Sequence, residues 1–156
     1  MNSQIEYLAD HVDAIPALAH SHYVEWAAIT PELTVPDRMA RFQARAQRGR
    51  IPTGFVAVMN GCVIGLACLV DCDLDSHAHL SPWLASVLVE KDYRGCGIGS
   101  ALSERVTTEA QLLGFSRLYL FTLDKQRFYQ RLGWSIVEKA VFREHPVTVM
   151  VRDVAG

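Results

Sequence analysis

One segment in the middle of the chain constrains the fold more than any other. The apolar run Trp83–Val89 leads into a turn with glycine at alternate positions, Gly95, Gly97 and Gly99, and a helical pattern follows over 98–113. Such a turn lets backbone amides converge on an anion at the positive end of the helix dipole. The segment predicts a strand–turn–helix unit with an anion site, to which Arg94 adds a positive charge. A tight turn without a ligand is the alternative interpretation.

Two other phosphate-binding motifs do not fit these glycines. A Walker loop requires lysine after its last glycine, whereas Ser100 and Ala101 follow here. The dinucleotide motif requires glycine at position 100 and usually follows the first strand of a parallel sheet. Here the turn follows several earlier elements, so both motifs are excluded.

The remaining pattern predicts one mixed α/β domain over residues 1–156. Three- and four-residue apolar spacing predicts helices over 11–29 and 37–48, and Asn60-Gly61 predicts a tight hairpin. A short helix over 126–132 follows a buried strand, and two strands around His145-Pro146 end the chain. The predicted element order is βααβββαβαββ.

Composition excludes several classes of protein. The formal net charge of −2 argues against binding to a nucleic-acid backbone. The longest nearly continuous apolar run, Cys62–Val70, is too short to span a bilayer, and the first residues lack the pattern of a secretory signal. The four cysteines contain no Cys-x-x-Cys pair, so no zinc or redox centre is expected. We therefore expect a soluble, cytoplasmic protein.

The glycine turn and a second segment resemble the GNAT superfamily of N-acetyltransferases. Residues 94–99 match its Arg/Gln-x-x-Gly-x-Gly/Ala signature, and residues 128–134 are similar to its Phe/Leu-Tyr-x-x-x-Gly-Phe segment, with Trp134 as the last aromatic. The resemblance covers nearly the whole chain. It implies a mostly antiparallel sheet flanked by helices, in which strands 4 and 5 are parallel and splay apart around acetyl-CoA.

This resemblance also implies the cofactor-binding residues. The pyrophosphate is assigned to the turn, the thioester end to backbone groups near Leu88 and Val89, and the pantetheine arm to the gap between the two splayed strands. Thr122 stands where many relatives have asparagine, so that contact differs here. The full set is Leu88, Val89, Arg94, Gly95, Cys96, Gly97, Ile98, Gly99, Ser100, Thr122 and Phe128.

Acetyl transfer to an amine needs an acid and a base. By resemblance, Tyr129 is the acid that protonates the CoA sulfur, although aromatic packing is an alternative role. Asp73 or Asp75 could accept the amine proton or hold a cationic amine, with loop solubility or capping as the alternative. Glu25 and Trp26 are the candidate acceptor residues. A metal is not expected, because the acidic loop lacks the glycine and glutamate of a calcium site.

These inferences predict an acyltransferase that moves an acetyl group to a primary amine by direct transfer in a ternary complex. A small-molecule acceptor is favoured, with a slight preference for a cationic one. A non-catalytic CoA-binding module and a protein or peptide N-acetyltransferase are the alternatives. No nucleic acid or membrane partner is expected, and a homodimer through the C-terminal strands is consistent with the resemblance.

Overall fold

The computed structural model describes residues 2–155, which form a seven-stranded sheet and four α-helices. The predicted order βααβββαβαββ is confirmed. In chain order the elements are β1 (Gln4–Tyr7), α1 (Ile15–Trp26), α2 (Val35–Ala44), β2 (Thr53–Met59), β3 (Cys62–Val70), β4 (Trp83–Val89), α3 (Ile98–Leu112), β5 (Arg117–Thr122), α4 (Gln126–Arg131), β6 (Ser135–Phe142) and β7 (His145–Asp153).

The sheet is antiparallel except at its centre. The strand order is β1-β2-β3-β4-β5-β7-β6, and β4 and β5 are the parallel pair. These two strands are in register only at Trp83 and Tyr119 and separate towards their carboxyl ends. The mixed sheet with a splayed parallel pair, expected from the resemblance, is therefore present.

Local sequence chemistry explains several element boundaries. Asn60 and Gly61 have φ angles of 51° and 78°, which suit a tight two-residue hairpin turn. Thr34 and Asp37 form a reciprocal capping box, so α2 begins two residues before its predicted start. Its last turn ends at Ala44 rather than near Arg48.

Two other boundaries differ from the predictions. Helix α1 is shorter than 11–29, because single 3₁₀ turns precede it and Pro16 lies in its first turn. The last hairpin turns at Arg143-Glu144, which have φ angles of 48° and 70°, and not at His145-Pro146. Pro146 is accommodated inside β7 because β5 pairs with β7 only from Thr148 onward.

Alternating strand residues place apolar side chains on both faces of the sheet. Phe55 and Leu102 belong to the core beneath α3, whereas Val56 and Phe42 belong to the core beneath α1 and α2. These four side chains are fully buried. No helix within residues 2–155 has the length and apolar character needed to cross a membrane.

Candidate active site

A cleft of about 700 Å³ opens where β4 and β5 separate. Residues 84–87 of β4 form one wall and residues 120–124, at the end of β5, form another. Helices α1 and α2 contribute further lining residues, as does Tyr129 of α4. This volume lies within the range of small-molecule sites in proteins.

A β-bulge shapes the β4 wall of the cleft. Ser86 and Val87 lie opposite the single β3 residue Ala67, and Ser86 has a positive φ of 56°. A bulge leaves backbone groups outside the strand ladder, where they can bind a ligand. Leu88 and Val89, the predicted thioester contacts, pair in register with β3 just beyond it. Sequence reasoning missed Ser86 and Val87, because a bulge depends on the register of the neighbouring strand.

The glycine turn lies beyond the carboxyl end of β4. Gly95 and Gly97 have φ angles of 76° and 81°, and a Cβ at either position would have no atom within 4 Å. Gly97 precedes α3, whose amino end receives no side-chain cap. The first-turn amides of α3 are therefore free of a side-chain cap for an anion.

Arg94 joins this turn to the cleft wall. Its guanidinium pairs with Glu25 of α1, and its Nε donates to the Val89 carbonyl over 2.9 Å. Glu25 also lines the cleft, as does Trp26, whose ring stacks on His22 at a centroid separation of 6.0 Å. Both predicted acceptor residues therefore lie at the cleft, and one of them contacts a predicted cofactor residue.

Tyr129 is the predicted acid, and its side chain faces the cleft. The residue is 8% exposed, its hydroxyl makes no hydrogen bond within residues 2–155, and burial raises its pKa to about 12. Phe128 packs edge-on against it. Thr122 lines the cleft too, but its Oγ1 accepts a 2.9 Å hydrogen bond from the Lys125 amide and so caps the β5–α4 turn.

Asp73 and Asp75 both line the cleft but differ in environment. Loss of solvation raises the pKa of Asp73 to about 7, against the opposing effect of the Arg45 and Arg41 guanidinium groups. Asp75 is exposed and begins a short 3₁₀ turn. Asp73 is thus the carboxyl whose protonation changes near neutral pH.

Helix α2 and Arg45, the residue that follows its last turn, add three arginines that sequence reasoning did not select. Arg38, Arg41 and Arg45 line the cleft at spacings of three and four residues. Arg38 is almost fully buried and donates to His22 Nδ1, to the Thr30 backbone and side chain, and to the Leu33 carbonyl. Burial first, and then Arg38, lower the pKa of His22 to about 3, so its ring remains neutral.

The histidines of the acidic loop are engaged elsewhere. His77 Nε2 lies 2.8 Å from Glu138 Oε1 on β6, and the His77 ring stacks on His79. Among residues 2–155, no three histidine, cysteine, aspartate or glutamate side chains are grouped so as to hold a metal ion.

Comparison with known families assigns this architecture. A family model described as acetyltransferase (GNAT) family matches residues 16–134, which include the glycine turn, Tyr129 and the first two helices. The chain belongs to the GNAT acetyltransferase family. GNAT proteins are acyltransferases, and the family resemblance of the sequence motifs is thereby confirmed.

Solved GNAT structures share the fold across their whole length. An N-acetyltransferase from Staphylococcus aureus is 20% identical, with 99% of each chain covered and a TM-score of 0.75. The yncA protein of Salmonella typhimurium, solved with its cofactor acetyl-CoA, is 21% identical, with 97% of this chain and 94% of that chain covered and a TM-score of 0.73. An aminoglycoside 6'-N-acetyltransferase complexed with coenzyme A is 17% identical, with 98% of each chain covered and a TM-score of 0.72. No curated protein sequence matches significantly.

Proposed function

We propose that this GNAT protein is an acetyl-CoA-dependent N-acetyltransferase that acetylates a primary amine on a small molecule by direct transfer. The observation that carries the proposal is Tyr129, a largely buried residue that lines the cleft where β4 and β5 separate and whose hydroxyl has no hydrogen-bond partner within residues 2–155. Solved relatives in complex with acetyl-CoA or coenzyme A support the choice of cofactor.

The residues present suit this cofactor. The uncapped amino end of α3 and the open space at Gly95 and Gly97 would receive the pyrophosphate, with Arg94 as a further cation. The bulge at Ser86 and Val87 supplies backbone groups beside the cleft for the acyl end. Acetyl-CoA would supply the acyl group as an activated thioester.

Two side chains of this chain would handle the protons. An alkylamine has a pKa of ~10.4 and is almost wholly protonated at neutral pH, so deprotonating it to the nucleophilic amine costs roughly 4 kcal/mol. Asp73, with a pKa of about 7, is ionised often enough at that pH to accept the amine proton. The raised pKa of Tyr129 keeps its hydroxyl protonated, ready to donate towards the departing sulfur.

The test compares Tyr129→Phe with Tyr119→Phe. Both tyrosines are 8% exposed, but Tyr119 lies outside the cleft lining, so the pair separates a chemical role from a packing role. We expect Tyr129→Phe to lower kcat at least about tenfold with an unchanged Kd for CoA, since general-acid contributions are about 10²-fold or more. Tyr119→Phe should retain turnover. Equal kcat in both variants would remove Tyr129 from the mechanism, and CoA binding without turnover of any amine by the wild type would indicate a non-catalytic CoA-binding protein.

A further inference from the structure

The cleft face of α2 carries an excess of positive charge. Arg38, Arg41 and Arg45 are spaced so that their side chains lie along one side of the helix, and all three line the cleft. Like charges at this spacing repel one another. Repulsion from Arg45, after the larger effect of burial, lowers the pKa of Arg41. The three neighbouring positive charges therefore do not stabilise this segment.

These three side chains form no ion pair with an acid within residues 2–155. Within residues 2–155, no carboxylate oxygen lies within 4.0 Å of their guanidinium nitrogens. Five other arginines do have such a partner: Arg48, Arg94, Arg105, Arg143 and Arg152. Arginines outside the cleft lining also lack such a partner within residues 2–155, and Arg143, which lines the cleft, pairs with Glu32. The distinctive feature is therefore the grouping of three unpaired arginines on one wall of the cleft.

Two of the three guanidinium groups have unused hydrogen-bonding capacity. Arg38 is satisfied by neutral groups of α1 and the following connector. Arg45 is only 8% exposed, yet its one side-chain hydrogen bond is a 2.9 Å donation to Ser86 Oγ at the bulge. A guanidinium has five N–H donors, and a buried cation is costly when it is unpaired. Arg45, with Arg41 one turn away, is thus ready to receive an anion.

The cofactor does not explain the unpaired positive charge of Arg41 and Arg45. The glycine turn that would hold the pyrophosphate lies beyond the carboxyl end of β4 and does not line the cleft. Of the acids in the cleft, Glu25 is paired with Arg94. Asp73 also lines the cleft, but it makes no ion pair with Arg41 or Arg45, and burial raises its pKa to about 7. The unpaired positive charge of Arg41 and Arg45 therefore lies in the part of the cleft left for the amine acceptor.

We propose that the acceptor is an amine that also carries an oxyanion group, a carboxylate or a phosphate, bound by Arg45 and Arg41. This assignment rests on the proposed N-acetyltransferase function and names its substrate class. It differs from the cationic acceptor favoured by the acidic loop in the sequence. A guanidinium fork matches both oxyanions in bidentate geometry.

The test measures free-thiol release from acetyl-CoA with matched acceptors. α-, β- and γ-amino acids are each compared with their primary amides, and aminoalkyl phosphates form a separate arm that distinguishes phosphate from carboxylate. Wild type should prefer the oxyanion-bearing amine over its neutral partner about tenfold or more in kcat/KM, the scale of a charge-assisted hydrogen bond. Equal use of acids and amides, or a preference for diamines, would overturn the proposal.

Variants assign the preference to α2. Arg45→Gln and Arg41→Gln should each lower kcat/KM more for the oxyanion-bearing amine than for its neutral partner, so the preference falls towards one. Arg50→Gln is the control, because Arg50 is exposed, lies outside the cleft lining and, within residues 2–155, makes its one side-chain hydrogen bond to Gln47. Arg41 is also exposed, so Arg41→Gln keeps the test available if Arg45→Gln does not fold. An unchanged preference in Arg41→Gln and in folded Arg45→Gln would refute the assignment.

A binding measurement separates this proposal from the proposed function. If no amine is acetylated, the acyl-transfer proposal fails. Amino acids, aminoalkyl phosphates and their neutral analogues are then titrated into the CoA-saturated protein by calorimetry. Binding of the oxyanion-bearing amines alone, weakened by Arg41→Gln, supports the anion site without any turnover. Equal binding of acids and amides contradicts it.

Discussion

Replacement of Asp73 by asparagine should change how the stability of the protein depends on pH. Burial in the cleft raises the pKa of Asp73 from 3.8 to about 7. The folded protein therefore holds this proton more tightly than the unfolded chain does. The resulting stabilisation is complete below the unfolded pKa and is lost as the pH rises through the folded pKa. Asparagine cannot ionise, so the variant escapes this loss.

The size of the effect follows from the two pKa values. Ionisation of Asp73 lowers the free energy of unfolding by about 2 kcal/mol at about pH 5 and by about 4 kcal/mol at about pH 8. The advantage of Asp73→Asn over wild type should therefore grow by roughly 2–3 kcal/mol between these conditions. In a chain of this length, that corresponds to roughly 5–10 °C in Tm. Any constant packing change cancels in this difference.

Chemical denaturation of wild type, Asp73→Asn and Asp75→Asn across this pH range provides the assay. Asp75 is exposed in the same loop and has the smallest of the effects that set the pKa of Asp73, so its variant should stay much closer to the wild-type curve than Asp73→Asn does. His22, whose low pKa destabilises the fold as the pH falls below 6.5, contributes equally to all three proteins. A difference between Asp73→Asn and wild type that stays constant within about 0.5 kcal/mol would show that Asp73 is well solvated and would refute the reasoning.

Three further predictions concern the cofactor and the mode of transfer. Gly97→Ala should raise the Kd for CoA. Gly114→Ala is the control, because it also adds a Cβ at positive φ into open space but lies beyond the opposite end of α3, and it should leave the Kd unchanged. Equal effects of the two substitutions would exclude a ligand at the turn. Glu25→Gln should free Arg94 and lower the Kd for CoA by up to about fivefold at low salt, because exposed ion pairs contribute about 1 kcal/mol at most; a higher Kd would contradict this. Cys72 lines the cleft, and its thiol donates to the Leu74 carbonyl. Cys72→Ser should therefore retain turnover if the acetyl group is transferred directly. Detection of acetylated Cys72 by mass spectrometry, after incubation with acetyl-CoA alone, would overturn direct transfer.

Local chemistry explains which parts of the fold could be predicted. Asn60-Gly61 favours one kind of turn whatever surrounds it, and the hairpin pairs Met59 with Cys62 as that turn requires. The bulge at Ser86 has no comparable local pattern, because it appears only when β4 is aligned against β3. The position of the last hairpin turn also depends on a neighbouring strand. Pro146 can lie inside β7 because β5 does not pair with β7 at that residue, and the sequence around Pro146 does not reveal this.

The same distinction applies to the candidate site. Tyr129 and the glycines of the turn belong to short motifs, so their presence in one region could be predicted from the sequence. Arg41 lies on α2 and Arg45 directly follows it, in a segment whose basic residues would ordinarily be interpreted as a solvated surface. Their shared spacing with Arg38 was the available signal, but only the tertiary structure, in which Arg45 donates to Ser86 of β4, shows that these side chains line the cleft.

Because His22 stays neutral, a loss of activity at low pH can be attributed to a catalytic group and not to disruption of the cleft. In the folded protein His22 stays unprotonated well below pH 6.5, so its Nδ1 continues to accept the 2.9 Å hydrogen bond from Arg38 that joins α1 to α2. This wall of the cleft therefore stays intact while Asp73 takes up a proton near its pKa of about 7. A fall of kcat/KM on acidification through about pH 7 would then report Asp73, and it should disappear in Asp73→Asn. An unchanged acid limb in that variant would assign the proton to another group.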